Sequence, residues 1–571
     1  MDCKEQALSE EYADGIIDFP SEIVGNMLQE GCYIPVDAGF GVAYQSRRIT
    51  PDLNVGEFQY PYIPKLFGLM QTSAVTGIER RFDPSALEAS GIRKLQGPPL
   101  NLRGQGTIIA FIDTGIEYTN RAFLDENGKS RILAIWDQTV QEGEAPEGFV
   151  FGTEYTNADI NKALESQNPM EEVSVRDPLR HGTNMAGIAA GSIVAGGSVY
   201  IGAAPEAEIV VVKLKEAKEY LRQYYFIPEG VPAYEENDIM LGIAYANRFA
   251  IEFRKPLIIC LGMGTSYGDH AGNSMLGRYL NKVAMERSRV VVVCGGNEGN
   301  TNHHYTSKLS DSEKEQEVEL RVGEKEQGFV MEFWGNMPDT YQVSLRSPGG
   351  ESIPPIRIEV EQRETFRFVF EETVIEVRSV RVETDAGAER ITFRFIQPTA
   401  GIWILRVGVL GEVYSGRFHI WLPISEFLNS DTYFLNPSPD VTLTDPAMAD
   451  GLISVSAYDH RNNSFYIESG RGFSRTGNIK PDIVAPGVNV PTLYGERSGS
   501  SLAAAYAAGA GAQFMQWAVV EGNSPLADTK EVRNFFIKGA TRSAGIEYPN
   551  KEWGYGTLNI YGVFENLRRN I

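Results

Sequence analysis

Histidine and cysteine are scarce in this chain, six and four among 571 residues. The cysteines are Cys3, Cys32, Cys260 and Cys294, and no pair has the spacing of a metal site or a redox dithiol. Cys260 and Cys294 lie in apolar runs, so all four are expected to be free thiols in a reducing compartment. No apolar stretch reaches the length of a membrane span. The first residues, MDCKEQALSEEYADG, have neither the basic nor the apolar region of a signal peptide. Synthesis in the cytoplasm is the expectation. Basic residues are also in deficit: 52 Lys and Arg against 75 Asp and Glu give a net charge of −23. That balance excludes a typical nucleic-acid binder. Internal repeats and low-complexity segments are missing as well.

What is present is a large chain of ordinary globular composition, 42% hydrophobic and 22% charged. Its character changes three times along the length. Residues 1–96 read as a small α+β unit: a strand at Gly15–Phe19, an amphipathic helix at Ser21–Glu30 and a hairpin over Cys32–Ser46. Pro98-Pro99 follows as a linker signal. From Gly106 the pattern is α/β. Apolar runs at Thr107–Ile112, Ile209–Leu214, Pro256–Leu261 and Val290–Cys294 predict buried parallel strands. Helical segments at Asn184–Gly191 and Asn237–Ala250 alternate with them, so sites are expected at the strand C-termini. From about Ser307 to Leu428 short alternating runs predict an inserted all-β module, a sandwich or jelly roll. The α/β pattern resumes at Leu452–Tyr458 and ends in an Ala/Gly-rich helix after Ser498-Gly499-Ser500-Ser501. The resulting divisions are 1–96, 97–306, 307–428 and 429–571. Trp334, Trp403 and Trp421 are expected to be core aromatics of the insert.

Three stretches carry chemistry. Asp113-Thr-Gly closes the first buried strand, His181-Gly-Thr opens a helix, and Ser501 begins the last helix. A serine hydroxyl needs a base to take its proton, and the base needs a carboxylate to orient it. An aspartic-protease reading of Asp113-Thr-Gly needs two such carboxylates, and the chain has one. A homodimer would supply the second but would leave His181 and Ser501 unexplained. Asn297, after a buried strand and two glycines, is the candidate oxyanion-hole donor. Leu261, Gly262, Met263 and Gly264 are the candidate edge that pairs with substrate backbone. No metal ligands and no cofactor are expected, and His303-His304-Tyr305 reads as a surface turn.

These residues resemble the subtilisin-like serine proteases. The resemblance rests on Asp113-Thr-Gly-Ile116, His181-Gly-Thr-x-x-Ala-Gly187, Gly296-Asn297, Lys480-Pro-Asp-Ile-Val-Ala-Pro-Gly487 and Gly499-x-Ser501-x-Ala503, in the Asp, His, Ser order of that family. Three positions depart from the usual pattern: Ser500 stands where the family has Thr, Ala505 where it has Pro, and Asn184 where it has a second His. Within the family the chain resembles the Csp-type germination proteases of clostridia and their relatives in anaerobic gut bacteria. Asn297-Glu-Gly-Asn300, His303-His304-Tyr305, Ile135-Trp-Asp-Gln138 and the inserted β module carry that narrower likeness.

The resemblance implies a subtilisin-like parallel sheet with helices on both faces, an N-terminal prodomain and a jelly-roll insert. It implies that the prodomain cuts itself free between Gln96 and Gly97 and stays bound non-covalently. It further implies one protein substrate, the proenzyme of a spore cortex-lytic hydrolase, and incorporation into the spore. Two other readings stand beside it: a pseudoprotease acting as a germinant sensor or scaffold, and a general bacterial subtilase with no spore role.

Overall fold

The computed structural model describes residues 2–18, 32–47, 63–70, 83–195, 198–358, 361–383, 386–429 and 431–569. The helix expected at Ser21–Glu30 lies outside them. The centre is a nine-stranded sheet. Its order is Ser464–Phe465, Ile453–Asp459, Arg289–Cys294, Leu257–Leu261, Ile108–Asp113, Glu208–Lys213, Ile132–Asp137 and Thr153–Thr156, with Ile483–Pro486 also paired to Ile453–Asp459. The interior pairings are parallel, and the two flanking strands Ser464–Phe465 and Thr153–Thr156 run antiparallel.

Alternation along Ile108–Asp113 explains why helices cover both faces. Ile109 and Phe111 join a core with helices His181–Ala190 and Ser500–Met515. Ile108, Ala110 and Ile112 join another with helices Glu236–Glu252 and Met275–Ala284. A strand buried on both sides must be apolar throughout, as this one is until Asp113.

At the N-terminus, helix Cys3–Leu8 packs on a three-stranded antiparallel sheet ordered Tyr12–Ile17, Gly41–Ser46, Cys32–Pro35. Cys3 and Cys32 are joined as a disulfide with Cα atoms 5.4 Å apart. The expectation of free thiols therefore holds for Cys260 and Cys294 alone; a separation of 29 residues carried no pairing signal. A buried ion cluster docks this unit on the α/β domain. Lys218 Nζ reaches Asp14 Oδ1 at 2.6 Å and the Tyr12 carbonyl at 3.2 Å, and Lys215 Nζ reaches Asp238 Oδ2 at 2.5 Å.

The unit does not extend to residue 96. Helices Ser85–Ala89 and Ile92–Leu95 belong to the α/β body. Gln513 Nε2 donates to the carbonyls of Ile92 (3.3 Å) and Leu102 (2.8 Å), and the Ile560 N–H donates to the Ser90 carbonyl at 2.9 Å. The boundary drawn at 96 rested on Pro98-Pro99 and missed these long-range contacts.

The insert forms two antiparallel sheets around one apolar core. It starts earlier and ends later than 307–428, since His304–Lys308 and Tyr433–Phe434 are strands of its sheets. Strand Val374–Glu383 escaped the sequence reading. Trp403 lies in this core, but Trp334 and Trp421 sit apart, at the joint with the α/β body. There Trp421 stacks on His270 (4.0 Å between centroids), His304 (4.7 Å) and His419 (5.1 Å), and His304 Nε2 meets His419 Nδ1 at 3.0 Å. Arg475 binds Asn336 of the insert at 2.9 Å from the other side. His304 is thus a buried joint residue and not part of a surface turn.

Burial pushes His270 down to about 4 and His304 to about 3, the latter with His270 acting against it. His419 falls well below its ordinary value through burial and the nearby His304 and Arg475. All three are therefore neutral at pH 7. Each takes up its proton on unfolding below about pH 6.5, so stability falls as pH falls, by up to roughly 1.4 kcal/mol per pH unit per histidine. The melting temperature is expected to drop steeply between pH 6.5 and 5. His419→Gln is expected to flatten that drop, and an unchanged pH slope in this variant would refute the assignment.

Candidate active site

Asp113 is delivered by the C-terminal end of the central strand Ile108–Asp113, and His181 by the first residue of the helix that covers it. Ser501 comes from the first turn of helix Ser500–Met515. Gly499 before it has φ +148°, a conformation that side chains disfavour, so the chain can turn there into the helix. His181 Nδ1 lies 2.7 Å from Asp113 Oδ1, and His181 Nε2 lies 3.1 Å from Ser501 Oγ. A carboxylate only accepts, so Nδ1 carries the imidazole proton and Nε2 is left to take one from Ser501. Asp113 Oδ1 is held in turn by the Thr114 N–H at 2.7 Å.

All three groups are buried. Burial disfavours a charged His181, but Asp113, with Asp177 and Glu426 farther off, outweighs this and raises its pKa above 6.5. Ser500 sits beside Ser501, and its backbone N–H donates to Asn297 Oδ1 at 3.1 Å. With its oxygen held, the Asn297 amide has Nδ2 left to donate. Cys294, nearby, is no rival nucleophile: burial pushes its thiol up to about 12.

The cleft is filled by the chain itself. Strand Leu66–Leu69 runs antiparallel between Tyr234–Glu235 on one side and Met263–Gly264 on the other. Leu69 pairs with Met263, and Gly68 with Gly264. The Met70 N–H donates to the Gly262 carbonyl at 3.1 Å, and the Met70 carbonyl accepts from the Ser501 N–H at 3.2 Å. The Met70 side chain reaches the floor formed by Gly264 and Thr444: a methyl on Gly264 would stand 3.3 Å from Met70 Cε and overlap Thr444.

Gly262, Met263 and Gly264 thus pair with the chain's own strand. Leu261 does not, since it ends a central strand inside the core. Gln96 and Gly97 are not in the cleft. Gln96 is buried elsewhere, its Nε2 donating to the carbonyls of Gly202 (2.7 Å) and Ala203 (3.0 Å). The resemblance implied cutting at Gln96–Gly97, whereas the carbonyl bonded to the Ser501 N–H is that of Met70. Among the described residues no group of three His, Cys, Asp or Glu is arranged to hold a metal, and no helix is long and apolar enough to cross a membrane.

A hydroxyl, an imidazole and a carboxylate in this order, beside a strand-pairing cleft, define a hydrolase of the serine type acting on extended peptides. Comparison with known proteins identifies the family. The subtilase family model matches residues 104–319 and 429–556, and the chain belongs to the subtilase family of serine proteases. A solved structure of the Clostridium perfringens CspB protease is 32% identical, covers 86% of this chain and 98% of that one, and superposes with a TM-score of 0.76. Two Arabidopsis thaliana proteins match over shorter stretches. Subtilisin-like protease SBT1.2 is 35% identical over 127 residues, 19% of this chain and 16% of that protein. Subtilisin-like protease SBT3.5 is 25% identical over 214 residues, 34% of this chain and 26% of that protein. The chain thus spans well under half the length of either plant relative.

Ser501→Ala is expected to abolish peptide-bond hydrolysis, a loss on the order of 10⁶-fold for a triad member. Ser500→Ala keeps its N–H bond to Asn297 and is expected to retain most activity; the reverse result would move the nucleophile. Asn297→Ala is expected to lower kcat about 10²–10³-fold with little change in KM. Because hydrolysis needs neutral His181 and its pKa is raised, the acid limb of the rate profile is expected above pH 6.5.

Proposed function

We propose that the protein is an active serine endopeptidase that cuts its own chain after Met70. Ser501 attacks the Met70 carbonyl carbon while His181 takes the hydroxyl proton and Asp113 holds the imidazole in the required tautomer. The Ser501 N–H and the Asn297 amide stabilise the oxyanion. His181 then passes the proton to the departing nitrogen of Gln71, and a water repeats the sequence to free the Met70 carboxylate. The observation that carries this reading is the hydrogen bond from the Ser501 N–H to the Met70 carbonyl at 3.2 Å, next to an intact Asp113–His181–Ser501 chain. The intact chain also weighs against a pseudoprotease.

Residues 1–70 are then a prodomain that remains seated as an inhibitor. Pairing on both edges of Leu66–Leu69 and the Lys218–Asp14 ion pair support retention. For the substrate in trans we extend the likeness to CspB: a spore cortex-lytic proenzyme, met during germination, with the protease carried in the spore. Cleavage of such a proenzyme by native protein and not by Ser501→Ala would test it.

Purified native protein is expected to give two co-purifying fragments, one ending at Met70 and one beginning at Gln71. Ser501→Ala is expected to stay a single chain. An intact native chain whose Ser501 still reacts with a serine-directed phosphonate would refute self-cleavage. A fragment beginning at Gly97 would refute Met70.

Removing one partner of a buried ion pair strands the other, at about 3–5 kcal/mol. Lys218→Met is therefore expected to let the N-terminal fragment separate on gel filtration and to raise activity on added peptides. Unchanged co-elution would show that the cleft strand alone holds it.

A further inference from the structure

Gly68 is the one residue of the cleft strand without a side chain. Its backbone is extended and not in the positive-φ region, so the backbone itself does not require glycine. Glycine inside a strand weakens it and marks a close approach by something else. Here the close approach is the turn at Ile424–Phe427, which lies between two strands of the sandwich, Arg417–Trp421 and Tyr433–Phe434. A methyl on Gly68 would overlap Ile424 Cδ1 and stand 3.4 Å from Glu426 Oε2 and Phe427 Cε1.

This turn has little room to give. Ile424 is 1% exposed and Phe427 fully buried, and both pack into the core that holds the Ser501 helix. The Phe427 N–H closes the turn on the Ile424 carbonyl at 2.9 Å. The Ser425 N–H and Oγ donate to Glu298 Oε1 at 3.1 and 3.0 Å. Glu298 directly follows Asn297 and also receives His303 Nδ1 at 3.0 Å and Thr301 Oγ1 at 2.9 Å. Burial acts against its charge, yet the bonds from His303, Ser425 and Thr301 hold its pKa below the ordinary value. A strap anchored on a buried, charged acceptor does not swing aside without breaking that set of bonds.

We infer that Ile424–Phe427 is a specificity-determining strap that admits only glycine at the third residue before the cut bond. The rule holds for the chain's own segment and for any protein substrate that takes its place. The inference rests on the reading that the bond after Met70 is cut. Under it, the inserted sandwich supplies one wall of the cleft, and substrates carry Gly two residues ahead of the residue whose carbonyl meets Ser501.

Self-cleavage is followed over time in freshly synthesised full-length chains: native, Gly68→Ala, Ile424→Ala and the double variant. In the native background, glycine at 68 is expected to be cut at least about ten-fold faster than alanine, the scale of a steric overlap in a packed site. In the Ile424→Ala background the glycine-to-alanine ratio is expected to fall below about three. Equal rates for native and Gly68→Ala would overturn the strap. So would a ratio that stays at ten in the Ile424→Ala background, since glycine would then be needed for another reason. No cleavage in the native chain would instead overturn the reading of Met70 on which the inference rests.

Discussion

Two backbone hydrogen bonds at Met70 organise the rest of this molecule. One fixes the Met70 N–H on Gly262, and the other presents its carbonyl to the Ser501 N–H. Neither depends on a side chain of the bound segment, so the cleft selects an extended strand before it selects a sequence. The central sheet exists, in functional terms, to hold its two ends of this arrangement in register. Asp113 and the edge at Gly262–Gly264 come from adjacent strands, Ile108–Asp113 and Leu257–Leu261, whose parallel pairing keeps their C-termini together. The serine is carried by a helix that packs on the same sheet.

The inserted sandwich, by its position, is tied to this site at two depths. At the outer joint, Trp421 and three neutral histidines fill the seam with stacked rings. Stacked rings resist sliding because each face is covered. At the inner joint, Ser425 is bonded to Glu298, one residue from Asn297. Moving the insert would therefore displace Ile424–Phe427 from beside the cleft strand and disturb the loop that carries Asn297.

Much of the fold was legible in the sequence because its strands are buried on both faces. Continuous runs such as Ile108–Ile112 and Val290–Val293 allow few other readings. Asp113, His181 and Ser501 were legible because their flanking residues carry the resemblance. What was not legible was tertiary. Leu66–Leu69 reads as an ordinary short apolar stretch, and nothing local says that it pairs with Met263. The resemblance pointed to Gln96, whereas the carbonyl that meets the Ser501 N–H belongs to Met70, a pairing no local pattern encodes. The Cys3–Cys32 disulfide and the burial of His304 were hidden for the same reason, since partners far along the chain set both. Gly68 is a local signal of a different kind: a glycine inside a strand, where the backbone has no need of it.

The seating of residues 63–70 has a consequence for how a cut would change the energetics. Before cleavage the segment is held in the cleft as part of one chain, so its effective concentration there is set by the covalent link. Afterwards residues 1–70 stay only by their own contacts, and these are of two kinds. The strand bonds at Gly68, Leu69 and Met70 are the ones any substrate must make, so a substrate competes for them directly. The Lys218–Asp14 pair and the apolar face of the N-terminal sheet are contacts a substrate does not make. On the proposed reading, what would distinguish inhibitor from substrate resides outside the cleft. On that reading, the contacts about Lys218 add to the strand pairing in the cleft and are the ones a substrate does not replace.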